Sequence, residues 1–145
     1  MSLKPITILV VDDSPTDIMI MREALTTTKV QVDLHTACDG VDALEFLRRI
    51  GPHAQAPRPD LILLDLNMPR KSGHEVLAEI KSDETLRTIP VVVLTTSQSE
   101  DDVALAYAAH VNCYIRKPVD FDKFVAVVAS IEAFWFTVVS LPGTS

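Results

Sequence analysis

Leu61-Ile62-Leu63-Leu64-Asp65-Leu66-Asn67-Met68-Pro69 sets four consecutive large aliphatics directly ahead of one carboxylate. An uninterrupted apolar run of this kind describes a strand covered on both faces, as in a parallel sheet with helices on either side. Pro69 has no N–H to give a ladder, so the strand closes there and Asp65 stands at its carboxyl end. Ligands of open α/β sheets bind at that end. Taken alone, Asp65 is equally well explained as an aspartate that starts a turn or caps a helix. The neighbouring stretches decide between the two.

Towards the amino terminus, Ile6-Thr7-Ile8-Leu9-Val10-Val11 runs into Asp12-Asp13-Ser14-Pro15, a second apolar strand that ends on carboxylates. Ser14 or Asp13 as cap and Pro15 in the first turn predict a helix carrying Ile18, Met21, Ala24 and Leu25. Val30, Val32 and Leu34 alternate as a strand does, Asp39-Gly40 turns the chain, and Val41, Leu44, Phe46 and Leu47 mark a second helix ending near Ile50-Gly51. Residues 51–59 are rich in Pro and Gly and read as a loop. Past Pro69, Arg70-Lys71-Ser72-Gly73 turns into a helix with Val76, Leu77 and Ile80 on one face, and Pro90 precedes a strand over 91–96. Ser99-Glu100-Asp101-Asp102 opens a fourth helix, with acids near its positive end. Residues 111–115 form a fifth strand leading to Arg116-Lys117-Pro118, and a last helix runs from near Asp120 through Trp135. Strand and helix alternate throughout. The expected fold is therefore α/β: a single-domain, doubly wound five-stranded parallel sheet with helices on both faces and right-handed crossovers.

A chain of 145 residues suits one domain and buries a core without disulfides or metal staples. The 48% hydrophobic content lies in short blocks, with no run near the roughly 18 apolar residues of a membrane span. Met1-Ser2-Leu3-Lys4-Pro5 lacks the features of a secretory signal, so a cytoplasmic protein is expected, with Cys38 and Cys113 as free thiols. The formal net charge of −7 disfavours a phosphate backbone or an anionic lipid surface, so neither nucleic acid nor a membrane is an expected partner.

In that fold Asp12 and Asp13, Asp65, Thr95 and Lys117 converge on one edge of the sheet. Crowded carboxylates repel one another, and a hard divalent cation relieves them. Mg²⁺ suits the role because it takes oxygen ligands and bridges carboxylates to phosphate oxygens. Lys117 supplies a compact positive charge and Thr95 a hydroxyl donor for the remaining oxygens of a phosphoryl group. Asp65 is then a nucleophile that accepts the group as an acyl phosphate. Each residue has an ordinary structural explanation singly; nothing structural demands acids, a hydroxyl and a lysine at the ends of separate buried strands.

Val10-Val11-Asp12-Asp13-Ser14, Leu64-Asp65-Leu66-Asn67-Met68-Pro69 with Gly73, Val93-Leu94-Thr95 and Tyr114-Ile115-Arg116-Lys117-Pro118 together resemble the receiver domains of bacterial two-component response regulators. The resemblance implies a flavodoxin-like sheet of strand order 2-1-3-4-5, with the receiver over residues 5–141 and short tails at 1–4 and 142–145. It makes Asp65 the phosphoacceptor, gives Mg²⁺ to Asp13, Asp65 and the Asn67 backbone carbonyl, and has Asp12 act through a water. Thr95 and Lys117 would grip the phosphoryl oxygens, Lys117-Pro118 would be cis, and Thr95 with Tyr114 would form the switch. Thr96, larger than the residue often found there, would restrict phosphodonors.

The segment from Ile131 to Pro142, with the loop before Pro59 and the Val-Asn-Cys-Tyr strand, looks like the stand-alone regulators that partner bacterial phytochrome histidine kinases. The implied function is signalling rather than enzymatic: phosphoryl transfer from a sensor histidine kinase to Asp65, a change of surface, and contact with a target. Self-phosphorylation from small donors and autodephosphorylation would be side activities. Two alternatives remain. A metal-dependent phosphatase of the haloacid dehalogenase group wants a second Asp two residues after its nucleophile, where Asn67 stands; a phosphorylation-independent receiver-like binding module leaves the full acid, Thr and Lys set without purpose.

The last helix carries more apolar surface than one core-facing stripe buries. Phe121, Phe124, Val128, Ile131 and Trp135 suffice against the sheet. Val127, Phe134 and Val138 fall on a neighbouring face, with Phe136, Val139 and Leu141 beyond. That surplus predicts a homodimer through the last helix and fifth strand, unless the tail past Phe136 folds back over it.

Overall fold

The computed structural model describes residues 5–27, 31–68, 71–95, 113–116 and 120–134. Its strands are β1 (Ile6–Val11), β2 (Val32–Ala37), β3 (Leu61–Asp65), β4 (Val91–Thr95) and β5 (Cys113–Arg116). They pair in parallel throughout, in the order β2-β1-β3-β4-β5. The described helices are α1 (Pro15–Leu25), α2 (Gly40–Arg48), α3 (Gly73–Ser82) and α4 (Phe121–Phe134). The expected α/β sheet and its strand order are therefore present.

Strand position follows apolar content. β3 occupies the centre of the sheet, and all of its residues are buried. β2 lies at an edge, and its sequence admits Asp33, His35 and Thr36 because that strand is only partly covered. Side chains two apart share a face, which divides the aliphatics into two cores. Leu9, Val11, Ile62, Leu64, Val91 and Val93 pack with α2 and α3 on one face. Ile8, Val10, Leu61, Leu63, Val92 and Leu94 pack on the other with Met21, Ala24 and Leu25 of α1 and Phe124 of α4.

Each described helix starts where a short polar side chain can satisfy an orphan N–H. Ser14 Oγ accepts from the Asp17 amide at 3.2 Å, Asp39 Oδ1 from Asp42 at 2.8 Å, Ser72 Oγ from Glu75 at 3.3 Å and Asp120 Oδ1 from Lys123 at 2.9 Å. No helix among the described residues is long and apolar enough to cross a membrane. Cys38 is a free, exposed thiol.

The structure departs from the sequence expectations in three places. Asp39-Gly40 makes no separate turn: Asp39 is itself the cap and α2 begins at Gly40. The segment after α2 is not wholly irregular, since Gly51–His53 forms one 3-10 turn and Arg58 anchors the return by donating to Thr88 Oγ1 at 3.0 Å. Phe121, expected against the sheet, is 43% exposed because it sits directly after the Asp120 cap, before the helix reaches the core; Phe124, one turn on, is 1% exposed. The expected fourth helix near Ser99 lies outside the described residues, as do Val30, Thr96, Val111, the Lys117-Pro118 peptide and Trp135.

Among the described side chains of α4, Phe124 is buried in the core with α1, and Val125 packs against its margin. Phe124→Ala should lower unfolding free energy by about 3–5 kcal/mol, the cost of an aromatic-sized void in a packed interior. Urea denaturation with an unchanged slope is the measurement.

Candidate functional site

The site is a consequence of register. Val11 of β1 lies opposite Leu64 of β3, so the next residue on each strand, Asp12 and Asp65, leaves the carboxyl edge beside the other. Val10 and Leu63 share the α1 face of the sheet, and the two-residue strand period gives Asp12 and Asp65 that same side. Asp12 is 0% and Asp65 1% exposed. Asp13, one residue further, is exposed. One carboxylate oxygen from each of Asp12, Asp13 and Asp65 lies within 4.8 Å of the others.

Local hydrogen bonds orient the buried pair. Asp12 Oδ1 accepts from the Ser14 amide at 2.9 Å, and Ser14 in turn caps α1. Asp65 Oδ1 accepts from the Asn67 amide at 2.9 Å. Both are Asx turns, in which a short acid bonds the backbone two residues on. The chain then stays against the sheet: Leu66 N donates to Leu94 O at 2.9 Å, and Gly73 N returns to Leu66 O at 3.1 Å.

Glycine is required where the amino end of α3 meets this edge. A Cβ on Gly73 would run into the Asp65 carbonyl oxygen and Leu66 Cα. A Cβ on Gly40 would stand 2.5 Å from the Lys71 carbonyl oxygen and 2.7 Å from Val76 Cγ2. The backbone that presents Asp65 is thus pressed from behind by the bare start of α3, while the bare start of α2 packs on Lys71 and Val76. The sequence reading did not assign either glycine that task, because the contacts are tertiary.

Asp12, Asp13 and Asp65 are brought together, and the Asn67 amide donates to Asp65. Thr95 ends β4, one residue past Leu94, which pairs with Asp65, and its own register partner is Arg116 of β5. Tyr114 pairs with Val93. The side chains of Thr95 and Tyr114 lie outside the description, and so does Lys117, the residue after Arg116. Of the proposed interface residues, Val127 and Phe134 belong to α4 without described side chains, and Phe136 and Val138 lie outside the described residues.

The donor set fits a hard cation. Three carboxylates supply anionic oxygens without nitrogen or sulfur, the preference of Mg²⁺, Ca²⁺ and Mn²⁺.

The sequence profile of the response regulator receiver domain matches residues 8–129. The chain belongs to the receiver domain family. This receiver is 48% identical over 138 residues to the response regulator Rcp1 of Synechocystis sp., covering 95% of this chain and 94% of that protein. Among solved structures it is similar to the phosphorylated cyanobacterial phytochrome response regulator RcpA, with a TM-score of 0.84 and 48% identity over 97% of this chain and 100% of that one. It is also similar to the Mn²⁺-bound form of Rcp1, with a TM-score of 0.83 and 47% identity over 96% of this chain and 100% of that one. The receiver is thus homologous to phytochrome response regulators, and its acidic cluster is of the kind that binds divalent metal.

Asp13 is the exposed member of the cluster, so its removal tests the charge without opening the core. Asp13→Asn should raise stability in chelator by up to about 1 kcal/mol, because a like charge is lost at a solvated position. The same variant should bind a divalent cation more weakly, since affinity follows ligand charge. Thermal melts with and without cation check both signs.

Proposed function

We propose that this receiver takes a phosphoryl group from the histidine of a sensor kinase onto Asp65, in a Mg²⁺-dependent reaction, and signals through the change in surface that follows. The observation that carries this reading is the meeting of Asp12, Asp13 and Asp65 at the carboxyl edge of a receiver sheet. One Asp65 carboxylate oxygen forms the new P–O bond as the P–N bond of phosphohistidine breaks. The electron pair of the broken bond returns to the imidazole, which takes up a proton. Asp13, Asp65 and the Asn67 carbonyl, with Asp12 acting through a water, would hold Mg²⁺, whose positive charge would offset the carboxylates and the phosphoryl oxygens.

The protein's own part is positioning. The Asn67 amide holds Asp65 Oδ1 and so limits rotation of the nucleophile. Lys117 offsets charge on the transferred group, Thr95 donates its hydroxyl to it, and Tyr114 follows Thr95 in the switch. The phosphatase alternative needs an acid where Asn67 stands. The likeness to Rcp1 and RcpA supports a bacterial phytochrome as the kinase, in the cytoplasm, with self-phosphorylation from small donors and autodephosphorylation as side reactions.

Incubation with a phosphorylated kinase and Mg²⁺ should label the native chain and leave Asp65→Asn without stable label; full labelling of that variant would sink the assignment. Lys117→Ala should keep cation affinity yet slow transfer by about a hundredfold, the scale of removing one group aimed at developing charge.

We further propose a homodimer through α4 and β5, on the apolar side chains Val127, Phe134, Phe136 and Val138. Sedimentation at micromolar concentration should show a dimer that Phe134→Asp weakens while the circular dichroism spectrum is unchanged. A monomer at all concentrations, with and without an acyl-phosphate mimic, would reject it.

A further inference from the structure

Far from the acidic edge, where the chain enters β3 and β4, a cleft of about 470 Å³ opens between the end of α2, Arg58 and the turn after α3. Its volume lies within the range of small-molecule sites. In a chain of net charge −7, Arg48, Arg49 and Arg58 all line it.

The arginines are not equivalent. Arg48 donates to Glu79 at 3.2 Å and is committed to that pair. Arg58 donates to the Thr85 carbonyl at 2.5 Å and to Thr88 Oγ1 at 3.0 Å, both neutral, so its charge is not offset by them. Arg49 has no carboxylate partner among the described residues, and it holds a left-handed backbone at φ 56°. Glycine is the ordinary occupant of that position, where a helix closes with the amide of Ile50 bonded back to Glu45 O at 2.9 Å. A side chain kept at a strained position invites a functional explanation.

Asp83 also lines the cleft, and its Oδ1 accepts from the Thr85 hydroxyl and amide at 2.7 and 2.8 Å. Leu47 and Leu86 give the floor an apolar part.

We propose that this cleft is a second ligand site, one that takes a small phosphorylated molecule. Its phosphate lies between the Arg49 and Arg58 guanidiniums, whose planar forks match phosphate oxygens. Its less polar body lies over Leu47 and Leu86. Asp12, Asp13 and Asp65, with no cation present, repel the same anion.

The test is a nuclear magnetic resonance titration of the full chain in chelator, with inorganic phosphate and with adenosine monophosphate as probes. Saturating shifts are expected at the amides of Arg49, Arg58, Thr85 and Leu86, with the nucleotide the tighter ligand. Arg58→Gln and Arg49→Gly should each weaken it by about tenfold, the scale of one charge-assisted contact. Arg49→Gly should also melt higher than the native chain, because glycine suits the left-handed position, so its loss of binding is not a loss of fold. Shifts that grow linearly without saturation, shifts confined to the residues around Asp65, equal affinity for the two probes, or native affinity in Arg49→Gly would each overturn the proposal.

Discussion

The parallel register of β1 and β3 is the constraint on which the rest depends. Once Val11 is opposite Leu64, the acids that follow must emerge together, and no rearrangement of loops can separate them. Carboxylate oxygens within 4.8 Å of one another repel when ionised. The fold tolerates this because the strands behind the acids are anchored by aliphatics buried on both faces. A soft edge would splay. The same burial that makes the register unforgiving therefore makes the charge cluster possible.

Behind the nucleophile, the support is steric at the glycines and electrostatic further out. Lys71, in the loop that follows Asp65, reaches Glu79 of α3 at 2.5 Å, and Arg48 at the end of α2 reaches the same carboxylate at 3.2 Å. The Lys71 hydrogen bond first, and that of Arg48 after it, hold the Glu79 carboxyl below its ordinary range against the desolvation that opposes them. A lowered folded value means the clamp is fully present above the usual carboxylate range and is lost as pH falls through the lowered one. Glu79 is partly solvated, so the clamp guides the loop more than it stabilises the domain.

The central strands were legible in the sequence because continuous aliphatic runs leave few other readings, and Ser14 announced its helix through capping chemistry. The acidic residues were legible as strand ends. Gly40 and Gly73 were not legible in their role, since what a Cβ would strike is set by chain thirty or so residues away in one case and by the preceding strand in the other. Phe121 misled because helical spacing assigns a face but not the depth at which the helix meets its sheet. The arginine cleft was invisible for a related reason: Arg49, Arg58 and Thr85 come from three separate segments, and no one of them carries a pattern alone.

Both charged regions follow from one topological fact. Helices that return along a parallel sheet present their amino ends at the strands' carboxyl edge and their carboxyl ends at the other. The positive ends of α1, α2 and α3 therefore gather where Asp12, Asp13 and Asp65 stand, and the negative ends gather where α2 closes on Arg48 and Arg49. Complementing a helix terminus explains Arg48, which lies in the last turn of α2 and pairs with Glu79. It does not explain Arg49, since a lysine or arginine within the helix would serve the dipole without a left-handed backbone. Nor does it explain Arg58, which stands on no helix. The dipoles set the background at both edges of the sheet, while Arg49 and Arg58 answer to the local chain, one at the left-handed close of α2 and the other tied to Thr85 and Thr88.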